Sequence, residues 1–392
     1  MSIAEKIEQT MESASWIRKM FEAGARLKAE HGAGNVFDFS IGNPNLEPPD
    51  AFRDALRNAA GDNTPGIHGY MPNAGYPHVR DAVATTLSGI QDKPVTAGDV
   101  VMTCGAAGGL NVVFKALLNP GEEVLVPVPC FVEYGFYADN HGGVMKTVGT
   151  QSDFSLDLDA LAEAITPRTR IVLVNSPNNP TGVVYSREEL AGLGRLLRKK
   201  SEELNRVIYL VSDEPYTRIV YDGTEVPPVF QAHPDTLVVA SHSKDLSLPG
   251  ERIGYVAVNP DARHRRSLAD AMVLTNRILG FVNAPALIQR VLPDLQGIGV
   301  DVAAYKRKRD LLCDGMASAG YTFDIPKGAF YLFVKSPVPD DVTFVQKLQE
   351  ELILAVPGSG FVGSGYFRLA FCVDDHTITN ATPGFKRAIE KI

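Results

Sequence analysis

The sequence predicts an α/β protein with a mainly parallel seven-stranded sheet in a large domain, plus a smaller α+β domain. Its 392 residues are long for a single hydrophobic core, so we expect two domains. Short β-branched apolar runs alternate with amphipathic stretches, which is typical of βαβ units. The predicted strands are Val100 to Met102, Val124 to Val126, Val144 to Val148, Ile171 to Asn175, Val207 to Ser212, Leu237 to Ser241 and Ile253 to Val258.

The strands and the helices between them, such as 110–118 and 187–200, place the large domain at residues 46–285. Beyond it the pattern changes, and we assign residues 1–45 and 286–392 to the small domain. One long helix over 286–319 is expected to join the two domains. The other expected elements of the small domain are an N-terminal helix over 11–30, the segment 36–41, a strand over 330–334, a helix over 343–352 and a strand over 367–371.

Composition and charge exclude several classes of protein. No stretch approaches the roughly 18 to 20 consecutive apolar residues of a membrane helix, and the polar N-terminal region lacks the apolar core of a signal peptide, so we expect a cytoplasmic protein. The net charge of −8 argues against nucleic acid and acidic membranes as partners. The short basic run 306–309 is predicted to be a solvated helix face. Scattered cysteines and histidines indicate neither disulfides nor a metal site.

A glycine-rich segment, Gly358 to Gly363, fits the GxGxxG pattern of dinucleotide-binding proteins. That motif works only where a helix begins at its third glycine, so that the helix N-terminus faces the pyrophosphate. Here the glycines lead into a predicted strand. We therefore expect a turn between strands and no nicotinamide cofactor.

Four stretches carry a more specific signal. Ser176-Pro-Asn-Asn-Pro-Thr-Gly182 and Ser212-Asp-Glu-Pro-Tyr216 each follow a buried strand, and Ser241-His-Ser-Lys244 precedes Arg252 in the sequence GERIGY. Arg368 lies in a late apolar strand. Parallel α/β sheets bind ligands where their strands end, so these stretches are expected to meet at one site.

These motifs resemble those of the fold-type-I, pyridoxal 5′-phosphate (PLP)-dependent aminotransferases of class I/II, over residues 37 to 371 in family order. The resemblance implies a transaminase that moves an amino group from an L-amino acid to a 2-oxo acid, with 2-oxoglutarate as the expected acceptor. It also implies a homodimer with shared active sites. A PLP-dependent β-lyase or decarboxylase of the same fold is the alternative.

The resemblance assigns the central catalytic groups. Lys244 is expected to form the Schiff base with PLP and to shuttle a proton. Asp213 is expected to keep the ring nitrogen protonated, because a nearby carboxylate raises its pKa. Tyr216 and Asn179 are expected to bond the cofactor's 3′ oxygen, and Asn179 also faces the substrate. Taken without the motifs, Lys244 would be read as a surface charge and Asp213 as the cap of a turn.

The phosphate of PLP is expected at Gly105, Ala106 and Ala107, before a helix predicted to start near Gly108, because helix N-termini bind anions. Arg252 and Ser241 are expected to add a guanidinium and a hydroxyl.

The remaining residues implied by the resemblance contact the ring, the substrate or the neighbouring subunit. Phe131 is expected to stack on the pyridine ring, Arg368 to bind the substrate α-carboxylate, and Gly42 to allow close approach opposite it. Tyr70 is expected to reach the phosphate of the neighbouring subunit. Phe131 and Tyr70 could instead be ordinary structural aromatics.

The amino donor is left open by the sequence, with aspartate as a candidate. Ala107 stands where one subgroup of the family has a lysine for a second carboxylate. Arg277 lies near, but out of register with, an arginine that another subgroup uses. We therefore favour a structural or interface salt bridge for Arg277 over a contact with substrate.

Overall fold

The computed structural model describes residues 3–12 and 16–392. The strands are β1 (Phe37–Asp38), β2 (Val100–Thr103), β3 (Glu123–Val128), β4 (Val144–Gly149), β5 (Thr169–Asn175), β6 (Tyr209–Asp213), β7 (Thr236–Ser241), β8 (Gly254–Val258), β9 (Tyr331–Lys335), β10 (Ile353–Leu354), β11 (Val356–Pro357) and β12 (Tyr366–Ala370). The α-helices are α1 (Glu5–Glu12), α2 (Trp16–His31), α3 (Asp50–Gly61), α4 (Pro77–Gln91), α5 (Gly105–Leu117), α6 (Glu133–Asp139), α7 (Leu158–Ala164), α8 (Arg187–Glu203), α9 (Arg265–Ile278), α10 (Ala286–Val291), α11 (Val302–Ser318), α12 (Asp341–Glu350) and α13 (Asp375–Glu390). None of these helices is long and apolar enough to cross a membrane.

The largest sheet has seven strands in the order β2-β8-β7-β6-β5-β3-β4. Only β8 runs antiparallel to its neighbours, so the prediction of a mainly parallel seven-stranded sheet is confirmed. Both faces are covered: along β5, Val172 and Val174 pack into one core while Ile171 and Leu173 pack into another. Strands buried on two sides read as continuous apolar runs, which is why the sequence showed them clearly.

The parallel strands β5, β6 and β7 are neighbours, and each ends in a polar residue at the same edge of the sheet. Those residues are Asn175, Asp213 and Ser241. Because the strands run in one direction, their carboxyl ends deliver these three side chains to one place.

Two smaller sheets lie outside the central part of the sequence. β1 pairs in parallel with β10, so the segment 36–41 joins the C-terminal residues, as expected. β11, β12 and β9 form an antiparallel sheet, as an α+β region requires. The predicted N-terminal helix over 11–30 corresponds to the end of α1 and to α2, and its residues 13–15 lie outside the described residues.

The prediction of one long helix over 286–319 is wrong. α10 ends at Val291 and α11 begins at Val302, with a short 3₁₀ turn containing Pro293 between them. Gly297 has a φ of +80°, a left-handed conformation that breaks a helix. Asp301 caps α11 by accepting a hydrogen bond from the N–H of Ala304, so the second helix has its own start signal.

The basic run 306–309 and the glycine-rich segment 358–363 can each be compared with the prediction from the sequence. The basic run 306–309 is only partly a solvated face, because Lys308 and Arg309 are buried. Lys308 Nζ lies 2.8 Å from Asp375 Oδ1, and Arg309 Nη1 lies 2.6 Å from Asp222 Oδ2, so ion pairs compensate the burial. The segment 358–363 forms a turn that leads into β12, as predicted.

Candidate active site

A cavity of about 290 Å³ lies at the carboxyl ends of β5, β6 and β7. Most of the predicted site residues line it. They are Gly42, Ala106, Ala107, Phe131, Asn179, Asp213, Tyr216, Ser241, Lys244, Arg252 and Arg368. Gly105 lies beside this group, against Arg252, whereas Tyr70 lies outside the cavity of its own chain.

Asp213 ends β6 with its carboxylate inside the cavity wall. Its Oδ2 accepts a hydrogen bond of 2.6 Å from the hydroxyl of Tyr134, while its Oδ1 is buried and has no hydrogen-bond partner. Burial raises the pKa of Asp213 to about 6, and the hydrogen bond from Tyr134 opposes that rise. A buried carboxylate oxygen without a donor marks the place where a bound cationic or N–H group would fit.

Lys244 follows β7 and is partly buried. Its Nζ donates a hydrogen bond of 2.7 Å to the carbonyl oxygen of Gly42 and lies 5.4 Å from the centre of the Phe330 ring. Burial, with the positive charges of Arg368 and Arg252, lowers the pKa of Lys244 to about 8. A lysine with a lowered pKa has a larger neutral fraction near pH 7 and is a better nucleophile and base.

Arg368 lies in β12 and is almost completely buried. Its Nη1 donates to Asn179 Oδ1 at 3.0 Å and its Nη2 to the carbonyl oxygen of Ser40 at 2.6 Å. The guanidinium stacks between the rings of Tyr331 and Phe361, at 4.5 and 4.7 Å. Its Nε has no partner, and no carboxylate of the described residues forms an ion pair with it. A bound carboxylate would supply the missing negative charge.

The amino end of α5 and Arg252 form a region suited to a phosphate. The helix begins at Gly105 rather than near Gly108, which places the N–H groups of Ala106 and Ala107 in its first turn. Gly105 has a φ of +70°, a left-handed conformation that favours glycine, and a Cβ there would lie 2.8 Å from Arg252 Nη2. The cluster therefore combines a helix N-terminus with a positive charge.

Aromatic side chains form much of the remaining wall. The hydroxyls of Tyr216 and Tyr331 lie 2.8 Å apart, and a Cβ at Gly42 would lie 2.1 Å from the Tyr331 hydroxyl oxygen. Glycine at position 42 thus leaves room for Tyr331 beside the backbone. Phe131 lines the cavity and meets Tyr134 edge to face, with ring centres 5.6 Å apart.

The sequence reasoning missed Tyr134, Tyr331 and Asn175. Asn175 donates through Nδ2 to the carbonyl oxygen of Asp213 and accepts, through Oδ1, from the N–H of Asn179. It thereby links the ends of β5 and β6. Its position as the last residue of a predicted buried strand was a usable signal, because a polar residue there needs a partner. The two tyrosines carried no such signal, since aromatic residues in apolar surroundings are usually core.

These features fit the cofactor that the sequence resemblance implies. The free Oδ1 of Asp213 suits a protonated ring nitrogen, the amine of Lys244 suits an aldehyde, and the amino end of α5 with Arg252 suits a phosphate. The unpaired N–H of Arg368 suits the carboxylate of a substrate. Each group that PLP and an amino acid require is thus present in one cavity.

The raised pKa of Asp213 predicts how the stability of the cofactor-free protein depends on pH. An unfolded aspartate titrates near 3.8 and the folded one at about 6, so stability from this group is lost as pH rises through that range. Relative to Asp213→Asn, the free energy of unfolding of the wild type should fall by on the order of 2 kcal/mol between about pH 4 and pH 7. Denaturant titrations of both proteins measure this difference, and a difference that does not change with pH would contradict the assignment.

Comparisons with known proteins agree with this chemistry. The family described as aminotransferase class I and II matches residues 34–383. The aspartate/prephenate aminotransferase of Thermus thermophilus is 33% identical over 358 residues, which cover 89% of this chain and 90% of that protein. The aspartate aminotransferase of Thermotoga maritima is 31% identical, with 93% of this chain and 94% of that protein covered.

Solved structures give the same result. An aminotransferase from Eubacterium rectale matches with a TM-score of 0.96 and 40% identity, over 100% of this chain and 99% of that one. The T. thermophilus aspartate aminotransferase with maleate matches with a TM-score of 0.87 and 29% identity, over 99% of this chain and 100% of that one. The chain therefore belongs to the class I and II aminotransferases, a family of PLP-dependent enzymes.

Proposed function

We propose that the cavity at the carboxyl edge of the large sheet is where this enzyme moves an amino group from an L-amino acid to a 2-oxo acid. The observation that supports the proposal best is the convergence of Lys244, Asp213 and Arg368 on one cavity, with Asp213 and Arg368 buried, Lys244 partly buried and none in an ion pair with a described residue. A transaminase needs an amine, a carboxylate and a carboxylate-binding cation in this arrangement. Lys244 supplies the amine, Asp213 the carboxylate and Arg368 the cation.

Lys244 and Asp213 are proposed to serve the cofactor. Bound PLP supplies an electron sink for the charge that develops at the substrate Cα. Asp213 keeps the ring nitrogen protonated through its free Oδ1. Lys244 would hold the cofactor, and its amine would take a proton from the substrate Cα and return it. Its pKa of about 8 lets the amine both accept and release a proton near neutrality.

Four further residues are proposed to bind the cofactor's periphery and the substrate. Arg368 binds the α-carboxylate, and Asn179, whose Oδ1 accepts a hydrogen bond from Arg368 Nη1, holds the guanidinium in place. Gly42 leaves space opposite Arg368, and Tyr216 with Asn179 contacts the 3′ oxygen of the ring. These contacts would hold the substrate in one orientation in the cavity.

A PLP-dependent β-lyase or decarboxylase is the alternative class for this fold. It would use the same lysine and carboxylate. The relatives reported above are named aminotransferases, and this favours amino-group transfer.

The half-reactions provide the test of this function. PLP-loaded protein should lose its yellow absorbance on addition of an amino donor and recover it with 2-oxoglutarate. Lys244→Ala should fold normally but lose turnover by at least about 10⁴-fold, because it lacks both the attachment point and the proton carrier. Lys199→Ala, at an exposed site on α8, is the matched control and should behave as wild type. Wild-type-like turnover by Lys244→Ala, or release of pyruvate or carbon dioxide without transfer, would refute the proposal.

A homodimer with shared active sites is the second part of the proposal. The Tyr70 side chain is 94% exposed and lies outside its own cavity. On α9, Leu274 and Ile278 expose about half of their apolar surface. Asn276 of the same helix donates to the carbonyl oxygen of Asn73, which ties α9 to the Tyr70 segment. An exposed aromatic beside exposed aliphatic residues is typical of an interface between copies.

This arrangement predicts a dimer in solution whose cofactor binding depends on Tyr70. Light scattering should give twice the chain mass, and Tyr70→Ala should weaken PLP binding by roughly 10-fold, the value of one lost hydrogen bond to a charged group. An active monomer would contradict the shared site.

Aspartate is proposed as an amino donor, because several relatives carry that name and a related structure contains maleate, a four-carbon dicarboxylate. Three cations line the cavity: Lys244, Arg252 and Arg368. They are already assigned to the cofactor, its phosphate and the α-carboxylate, so none is left for a second carboxylate. Arg277 is exposed on α9, outside the cavity, and forms no ion pair with the described residues. A structural salt bridge within the chain therefore lacks support. Since Arg277 shares the face of Leu274, it is proposed to reach the side-chain carboxylate in the second copy.

The ratio of kcat/KM for aspartate to kcat/KM for alanine tests Arg277 directly. Arg277→Ala should lower this ratio by roughly 30-fold or more, because one partner of a charge pair is removed while Arg368 still binds the carboxylate of alanine. Arg266→Ala, also exposed on α9, is the control. If both substrates lose activity together, in step with a lower melting temperature, Arg277 is structural.

The two-domain division, with residues 46–285 in the large domain, is retained as a proposal. All strands of the seven-stranded sheet lie inside that range, and those of the smaller sheets lie outside it. The cytoplasmic location stays a prediction from the sequence.

A further inference from the structure

Two adjacent buried carboxylates lie at the end of β6. Successive residues of a strand point to opposite faces, so Asp213 lines the cavity while Glu214 faces away from it. Glu214 is satisfied on its own side: its Oε1 accepts from Ser212 Oγ at 2.8 Å and its Oε2 from Gln91 Nε2 at 3.2 Å. Burial and the neighbouring charge of Asp213 raise the pKa of Glu214 to about 7. Ionisation of Asp213 thus makes ionisation of Glu214 less favourable.

Tyr134 touches only one member of this pair. It lies on α6 with its side chain fully buried, and its hydroxyl is 2.6 Å from Asp213 Oδ2. Burial and the charge of Asp213 raise the pKa of Tyr134 well above its ordinary value, so the phenol stays protonated and donates. The ring is held by edge-to-face contact with Phe131. A rigid donor is thus fixed on one oxygen of Asp213, and the other oxygen is left free.

We propose that Tyr134 is a positioning residue for the reaction: its hydroxyl fixes the orientation of the Asp213 carboxylate, directs Oδ1 into the cavity and stabilises the ionised form of Asp213. The inference rests on the proposed role of Asp213 toward the ring nitrogen. Tyr134 acts through Asp213 and touches neither cofactor nor substrate in this account.

The geometry explains why a neutral donor suits this position. A cationic donor at Oδ2 would neutralise the carboxylate and compete with the protonated ring nitrogen for its charge. A phenol stabilises the anion without cancelling it. Other titratable side chains that respond to the charge of Asp213 are Tyr216 and Tyr137, both uncharged at neutral pH because burial raises their pKa values, and neither forms a hydrogen bond to it.

Tyr134→Phe removes the hydroxyl and keeps the ring that packs against Phe131. We expect kcat to fall by about 10- to 100-fold and the dissociation constant of PLP to rise by a similar factor, the range for a lost hydrogen bond to a charged group. Tyr321→Phe is the matched control, because it also removes one buried hydroxyl that donates to an acceptor, the carbonyl oxygen of Phe385, far from the cavity. The control should change the melting temperature without changing either constant.

A double-mutant cycle with Asp213→Asn separates this inference from the function it rests on. If Tyr134 acts through Asp213, adding Tyr134→Phe to Asp213→Asn should cost less than about twofold in kcat. Loss of the Tyr134 hydrogen bond should also raise the pKa of Asp213 above about 6. In the cofactor-free Tyr134→Phe protein, the loss of stability with rising pH that Asp213 causes should therefore extend to a higher pH. Additive losses in the cycle, or an unmoved pH midpoint, would overturn the positioning role. A small effect of Asp213→Asn on kcat would instead refute the proposed function of Asp213.

Discussion

Ionisable side chains without counter-ions converge on one edge of the large sheet, where they line a single cavity. Asp213 and Arg368 are removed from water and Lys244 is partly buried, and none of the three forms an ion pair with a described residue. Burial of an unpaired charge costs several kcal/mol. The large apolar cores on both faces of the sheet and in the smaller sheets offset that cost. The cofactor-free protein therefore carries charged side chains that no protein group balances, and bound PLP and an amino acid are suited to balance them.

The same burial tunes the reactivity of these groups. It lowers the pKa of Lys244 to about 8 and raises that of Asp213 to about 6, so both titrate closer to neutrality than in water. Catalytic acids and bases work best with a pKa near the operating pH. The hydrogen bond from Tyr134 limits the rise at Asp213. Desolvation and the hydrogen bond from Tyr134 therefore have opposite effects on the pKa of Asp213.

The fold brings distant parts of the sequence to this edge. β5, β6 and β7 deliver Asn175, Asp213 and Ser241 because they are parallel neighbours. Arg368, from the antiparallel sheet, bonds Asn179 beyond β5 and the carbonyl oxygen of Ser40 near the N-terminus. The cavity is therefore closed by contacts between segments more than a hundred residues apart in sequence.

The sequence predicted the seven-stranded sheet because buried parallel strands are continuous apolar runs, and it predicted most of the cavity lining because those residues stand in motifs at strand ends. It failed at the helix over 286–319, where apolar periodicity outweighed the signals of Pro293 and Gly297. It also failed at Tyr134, since a lone tyrosine gives no sign of which buried oxygen it will meet. Ion pairs between residues that are distant in the sequence, such as Arg309 with Asp222, could not be predicted from local sequence patterns.

Chemical trapping of the cofactor identifies the lysine that holds PLP. Borohydride reduces the covalent link between PLP and a lysine to a stable secondary amine, and digestion followed by mass spectrometry locates the modified residue. Lys244 should be modified stoichiometrically, and prior addition of an amino donor that converts the cofactor should abolish the label. A label on another lysine, with Lys244 unmodified, would contradict the proposed role of Lys244.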